Sequence, residues 1–320
     1  MECIKNFIGI DVSKLSFDVA IEETGGYKYF QLANTKEGFK ALLSLMTGKG
    51  NCHIVMEASG PYYLRLATYL YDSGVCISVV NPLVIRRFCQ MRLTRAKTDK
   101  KDAQMIAMYG KTEQPQLWQP DAGYVLELRQ MQAAIEVLNK NRTSMIRQKE
   151  AFSQNTSVSK ESMKSLDKTI AFLEKEIATL ECKMEQLTKE HHQSMFKNLQ
   201  TIPGLGRKTA MQLIVASGAF RKFSNARQLT AYFGLSPRIF QSGSSVKGKS
   251  KITKMGMSRI RAMLYVCAWS AKRYNKACKE LYDRLVAKGK SKRLALVAVA
   301  NKLIKQAFAI AASGKTYQVA

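Results

Sequence analysis

Between Met163 and Leu187 the chain places an apolar residue at every third or fourth position: Met163, Leu166, Ile170, Leu173, Ile177, Leu180, Met184 and Leu187. A strand cannot use that spacing, because its alternate residues face opposite ways; a helix gathers it into one continuous seam. Leu128, Met131, Ile135, Leu138 and Met145 repeat the pattern upstream, with Arg142 in the intervening seam position. Residues 153–159 (SQNTSVS) separate the two runs with turn-forming polar residues, so the pattern predicts two antiparallel coiled-coil arms. Such arms either pack on a neighbouring domain or join two copies of the chain, and the second use implies a homo-oligomer, a dimer or tetramer.

The arms divide the chain. Upstream, residues 7–12 and 16–21 are β-rich and 27–32 alternate; 38–46 are helical in pattern, 53–56 and 75–80 are short apolar strands, and 62–71 form a helical stretch between them. Three strands followed by helix, strand, helix, strand, helix is the order of a ribonuclease-H-like α/β domain, with another α/β sandwich as the alternative. Downstream of Phe196 helices are predicted at 209–217, 226–233, 258–274 and 292–312, with a long Gly/Ser/Lys loop over 236–256. The expected organisation is α/β plus all-α: a catalytic domain over 1–118, a coiled-coil or dimerisation region over 119–195, and a basic helical domain over 196–320.

Charge is concentrated in the last segment. The 320 residues carry 51 Lys+Arg against 24 Asp+Glu, and from Phe196 onward there are 25 basic residues and only two acids, Glu280 and Asp283. Such a field attracts polyanions, so nucleic acid is the expected partner. An anionic membrane surface is the rival, but the apolar run 294–300 (LALVAVA) falls far short of a span of about 20 residues, and no anchor is expected. The N-terminal MECIKNFIGIDVS shows no signal-peptide apolar region, which places the protein in the cytoplasm. Seven cysteines without a CxxC pair argue against a zinc module or a disulfide framework and are expected to be reduced, mostly buried thiols. The three histidines, His53, His191 and His192, are too few for a histidine relay. The last two are expected to be solvated residues at the end of the second arm, which disfavours tyrosine-recombinase chemistry.

Three constellations could do chemistry. Asp11 follows the apolar strand FIGI, Glu57 follows HIVM, and Asp99 and Asp102 lie three apart at the start of a predicted helix, on one face of it. Acids at strand ends facing acids on a helix make the oxygen-rich site that Mg²⁺ (or Mn²⁺) prefers, and two such ions can assist phosphodiester displacement. Taken singly, each acid has a plainer explanation as a turn cap, a solvated strand end or a complement to a helix N-terminus. The segment TIPGLGRKTA has Gly204 and Gly206 ahead of Arg207 and Lys208, the pattern of a helix-hairpin-helix phosphate contact or of a structural helix–helix turn. The loop PRIFQSGSSVKGKSKITKMG sets Ser242, Ser244 and Ser245 among Arg238, Lys247, Lys249, Lys251 and Lys254, with Arg259 and Arg261 following. A serine nucleophile amid cations suits phosphoryl transfer, and a flexible phosphate-binding loop is the plainer reading.

GIDVSK, MEASGPY, VNP, RAKTDKKDA, IPGLGRKTA and AYFGLSPRIFQSG, in that order along nearly the whole chain, resemble the DEDD transposases of the IS110 family and their relatives, the Piv-type site-specific DNA invertases. The resemblance implies a RuvC-like domain with its tetrad on Asp11, Glu57, Asp99 and Asp102, and a transposase domain with its nucleophile on Ser242. It further implies a covalent phosphoserine link to DNA, completed by the metal-bound carboxylates of a partner subunit, in the bacterial nucleoid. Some members are guided by a structured RNA that pairs with donor and target DNA; the Piv-like invertases are not securely known to use one. Because Ser244 and Ser245 stand beside Ser242, they are alternative nucleophiles. A junction-resolvase-like nuclease using water and a non-enzymatic architectural DNA-binding protein are the competing functions.

Overall fold

Alternation makes the first strand two-faced: in β1 (Asn6–Val12) Ile8, Ile10 and Val12 point one way, and Phe7, Gly9 and Asp11 the other. A computed structural model of the chain describes residues 6–47, 52–93, 98–238, 241–242, 246–247, 251–253 and 255–318. They divide into two compact units, Met1–Pro120 and Asp121–Ala320.

In the first unit β1 pairs antiparallel with β2 (Ser16–Glu23), which pairs antiparallel with β3 (Gly26–Ala33). After α1 (Lys36–Met46), β4 (Cys52–Glu57) joins β1 in parallel; after α2 (Tyr63–Asp72), β5 (Cys76–Val80) joins β4 in parallel. The sheet order is β3-β2-β1-β4-β5. One face packs Ile8, Ile10, Phe17, Val19, Ile54 and Met56 against Phe39 and Leu42 of α1 and Leu66 and Leu70 of α2. The opposite face packs Val55 and Val80 against Ile85 of α3 (Pro82–Met91) and Ile106 of α4 (Asp99–Glu113). Helix α3 is not among the elements expected from the sequence pattern; its start is a local signal, with Asn81 Oδ1 accepting from the Leu83 amide at 2.9 Å and Pro82 opening the helix.

The contact that sets this layer is made without a side chain. A Cβ on Gly9 would sit 2.1 Å from the Ala103 carbonyl oxygen and 2.2 Å from the Ala107 nitrogen, so the backbone of α4 lies directly on β1. Gly110, further along α4, faces side chains instead: a Cβ there would lie 2.6 Å from Val55 Cγ2 and 3.2 Å from Phe7 Cδ1.

In the second unit α5 (Gly123–Ser153) and α6 (Lys160–Gln200) run antiparallel: Arg142 pairs with Glu174 at 3.7 Å and Lys149 with Asp167, so seven residues forward on one helix match seven back on the other. The base of this pair is built into the helical core of the unit. Leu128, Ile135, Ile177 and Met184 share that core with α7 (Arg207–Ser217), α8 (Ala226–Tyr232), α9 (Ser258–Tyr274), α10 (Lys276–Ala287) and α11 (Lys292–Ser313). Helix α10 has no counterpart among the helices expected from sequence, although Ala277, Leu281, Tyr282, Leu285 and Val286, half-buried at helical spacing beside the buried Cys278, mark one face of it.

Several expectations are corrected. The segment expected as a long loop contains a nested hairpin: β6 (Pro237–Arg238) pairs with β9 (Lys251–Ile252), and inside it β7 (Gln241–Ser242) pairs with β8 (Val246–Lys247). Gly/Ser/Lys composition masks a ladder only two residues deep at each level. By length and composition α11 is apolar enough to cross a membrane, although no single run of it suggests so; eight of its residues, from Ala295 to Ile310, are buried in the core of this unit. The thiols are free but not mostly buried: among the described cysteines Cys52 and Cys278 are buried, whereas Cys76 and Cys182 are exposed. His192 is not simply solvated. It interrupts α6 with φ −140° and ψ 35°, and its Nε2 lies 2.9 Å from the Tyr124 hydroxyl, while His191 stacks on the Tyr124 ring with centroids 3.8 Å apart.

Replacing Gly9 by Ala is expected to lower the stability of the first unit by about 1–3 kcal/mol, the usual cost of overpacking, because the clash is with backbone that cannot rotate away. Urea denaturation followed by circular dichroism checks this; a midpoint equal to that of the unaltered chain would refute the seat.

Candidate active site

Strand register decides which acids meet. Gly9 is opposite Val55 across the parallel β1–β4 pair, so Asp11 and Glu57, two residues further on, share the face on which α4 lies. Helix α4 runs back along β1: Gly110 meets Phe7 and Ala103 meets Gly9, which carries the first turn, with Asp99 and Asp102, toward the Asp11 end of the strand. Thr98 caps that turn, its hydroxyl accepting from the Lys101 amide at 3.3 Å, and two acids in a first turn complement the helix dipole. Glu57 is held in turn by the Ser59 hydroxyl, which donates to its Oε1 at 2.7 Å.

The electrostatics show the convergence. Burial, then the charges of Glu57, Asp102, Asp99 and Asp18, push the Asp11 carboxyl from 3.8 up to about 6. Asp18 is not among the acids that the sequence motifs single out. It lies directly across the antiparallel ladder from Asp11, is 3% exposed, and accepts from the Tyr29 hydroxyl and from Gln31 Nε2 at 3.3 Å. Its hydrogen bond to Asp18 raises the Tyr29 phenol to about 12. The Lys100 ammonium, between Asp99 and Asp102 in sequence, sits 5.7 Å from the Tyr29 ring centroid. The only sequence signal for Asp18 is an acid set inside the apolar alternation FDVAI.

The donor set is entirely carboxylate, the ligation hard divalent cations prefer, and the mutual repulsion at Asp11 is what such a cation would relieve. As they stand, no three His, Cys, Asp or Glu side chains among the described residues are arranged to hold a metal ion.

In the second unit, residues 201–206 join α6 to α7. Gly204 has φ +102°, and a Cβ there would lie 2.7 Å from Ala271 Cβ and 2.9 Å from its backbone, so this glycine serves the packing of α9. Gly206 precedes α7 with open space around it. Arg207 pairs with Glu185 at 3.1 Å and Lys208 with Glu181 at 2.7 Å, the cations exposed and the acids largely covered. Arg259 pairs with Glu136 at 2.6 Å, and Arg261 donates to the Phe233 carbonyl at 3.1 Å. The hairpin root is gripped from both sides. A Cβ on Gly234 would be 2.4 Å from the Met255 carbonyl oxygen, one on Gly256 would be 2.2 Å from that of Tyr232, and the Thr253 amide donates to Ser236 at 3.0 Å. Ser242 stands near the hairpin tip, its backbone paired with Val246. Arg238, Lys247 and Lys251 are likewise placed by backbone on the hairpin strands, and Ser244, Ser245, Lys249 and Lys254 lie outside the described residues.

Two family models match the chain: a DEDD transposase model of the IS110 type over residues 8–156, and one described as transposase IS116/IS110/IS902 family over 196–283. The "pilin gene-inverting protein" of Moraxella bovis is 32% identical over 317 residues, covering 96% of this chain and 95% of the relative. Its counterpart in Moraxella lacunata is 31% identical over 314 residues, with the same coverage. The "transposase for insertion sequence element IS1111A" of Coxiella burnetii is 24% identical over 343 residues, covering 97% of this chain and 91% of that protein.

The raised carboxyl at Asp11 gives a signed pH effect. The folded state keeps this proton up to about pH 6 whereas an unfolded Asp loses it near 3.8, so the stability it contributes is full below about pH 4 and lost as pH rises through about 6. Asp11→Asn is expected to melt a few degrees above the unaltered chain at about pH 7 and level with it at about pH 4; equal melting at both would remove the repulsion argument.

Proposed function

The chain belongs to the IS110 family of transposases and is a DNA recombinase or transposase, and on that premise we propose that it cuts and rejoins DNA through a phosphoserine link to Ser242, beside a divalent cation held by Asp11, Glu57, Asp99 and Asp102. The observation that carries the carboxylate half is the rise of Asp11 to about 6 under burial and repulsion from its acidic neighbours. The sheet order β3-β2-β1-β4-β5, with acids at the ends of β1 and β4 and on α4, supports a RuvC-like, ribonuclease-H-like reading of the first unit. The serine half is supported by a hairpin rooted on glycines that carries Ser242 among cations near its tip.

Magnesium or manganese bound among the carboxylates would polarise the scissile phosphate and stabilise the oxygen that leaves. In the reaction proposed, Ser242 Oγ bonds to phosphorus, the phosphodiester P–O bond breaks, and the released deoxyribose hydroxyl gains the proton that the serine loses. Attack by the hydroxyl of another strand reverses the exchange and frees the serine, so bond energy is conserved throughout. Lys247, Lys249, Lys251, Lys254 and Arg238 would hold the flanking phosphates, and the N-terminus of α7 behind Gly204 and Gly206 would add a helix-hairpin-helix contact. Arg259 and Arg261 serve first to fix α9 and the hairpin root. The antiparallel α5–α6 arms, exposing Val137, Ile146 and Phe172, are proposed to join copies as a coiled coil, so that one copy's hydroxyl can meet another's carboxylates.

A structured guide RNA that selects donor and target DNA is part of this proposal, and the basic residues from Phe196 onward suit its backbone. Near-full-length likeness to two pilin gene-inverting proteins favours a second reading: site-specific inversion by the same chemistry without a guide. Whether a discrete RNA copurifies with the chain separates the two.

Ser242→Ala is expected to abolish the covalent protein–DNA adduct seen on denaturing gels while leaving DNA affinity within about twofold, because a neutral hydroxyl adds little to a charge-driven complex. An adduct that survives in this variant and vanishes in Ser244→Ala or Ser245→Ala would move the nucleophile. Free 3′-hydroxyl and 5′-phosphate ends without any adduct would instead mark a hydrolytic nuclease. Removing Lys247, Lys249 or Lys251 is expected to reduce the salt slope of DNA binding by roughly one unit each; an unchanged slope after all three would dismiss the hairpin as a phosphate contact.

A further inference from the structure

Helix α9 carries an exposed side across from its buried stripe. Ile260, Leu264, Ala268 and Ala271 form its buried stripe, whereas Val266 is 68% exposed, Trp269 48% and Tyr274 72%. An indole left half-exposed beside an exposed valine is apolar surface that a partner can cover. The Lys272 ammonium lies 4.2 Å from the Trp269 ring centroid and 4.9 Å from that of Tyr282, caught between two aromatic faces. Arg273 follows, exposed, and among the described residues neither Lys272 nor Arg273 has a carboxylate within ion-pair distance.

Open rings interleaved with unneutralised cations suit a strand that offers both flat bases and phosphates. A duplex keeps its base faces stacked on one another, so only unpaired nucleotides can use such a platform. Contact with a second copy of the chain is the rival, and charge opposes it, since a two-fold pairing of this face would set Lys272 and Arg273 against the same residues of the partner. Trp269 stands eleven residues into α9, about 16 Å from Ser258, where the chain leaves the serine hairpin.

We propose that Trp269, with Lys272 and Arg273 three and four residues on along the same side of the helix, is a stacking site for unpaired bases of single-stranded DNA. The choice of DNA rests on the recombinase reading, since strand exchange exposes unpaired bases near the cut. The chain has two tryptophans, Trp118 and Trp269, so Trp118→Phe leaves the indole of interest as the sole one, and the difference between the spectra of the unaltered chain and Trp269→Phe isolates it independently. Titration with an uncut oligothymidylate is expected to quench this fluorescence saturably, whereas a duplex of equal length leaves it unchanged. Trp269→Leu is expected to weaken oligothymidylate binding about tenfold and duplex binding hardly at all, with Trp269→Phe recovering most of the loss. Binding seen by anisotropy without quenching, equal losses for single strand and duplex, or a response to RNA but not to DNA of the same sequence would overturn the proposal. So would quenching that follows protein concentration alone, the mark of a second copy. Quenching needs no cleavage, so failure of the serine mechanism in the adduct assay leaves this result separately legible.

Discussion

Because Gly9 carries no side chain, the backbone of α4 rests directly on β1, and the approach of Asp99 and Asp102 to the acids of the sheet depends on that contact. Any Cβ at Gly9 would hold the helix away from the strand, and the first turn of α4 would no longer face Asp11. The seat is cheap in sequence, a single glycine. It requires the hydrophobic layer of Val55, Val80, Ile85 and Ile106 to hold the helix down, since the glycine itself offers no attraction.

The acidic face thus assembled is unfavourable by itself. Asp11 and Asp18 oppose each other across a ladder, where like charges destabilise, and the Tyr29 and Gln31 donors serve Asp18. At Asp11 burial first, and then the charges of its acidic neighbours, push the carboxyl up to about 6. Concentrated strain of this kind, maintained by surrounding packing, is characteristic of sites where charge is to be met by a ligand.

In the second unit the cations divide between two uses. Arg259 and Arg261 make internal contacts that locate α9 and the hairpin root, and Arg207 and Lys208 pair with acids of α6. The segment from Phe196 onward still holds 25 basic residues against two acids, so these pairings remove only part of its field, which is spread over the hairpin and helices α9, α10 and α11.

Much of this architecture is legible from composition and period. Alternation marks the strands of the sheet, three-and-four spacing marks the long helices, and separated motifs mark Asp11, Glu57, Asp99 and Asp102, because these signals are local and each residue carries its own. The hairpin is not legible, since each of its ladders is only two residues deep, whereas helices α3 and α10 do carry helical spacing, Ile85 and Phe88 in one and Cys278, Leu281 and Leu285 in the other. Asp18 is marked only as an acid inside an apolar strand, for a sharper reason: its importance lies in the register that sets it opposite Asp11, and register is a property of two strands together. The amino-acid order by itself determined which faces are apolar, where charge accumulates and which residues could act. Only the tertiary structure decided which of them meet, because strand pairing and the seating of one backbone on another are made between segments that no local pattern connects.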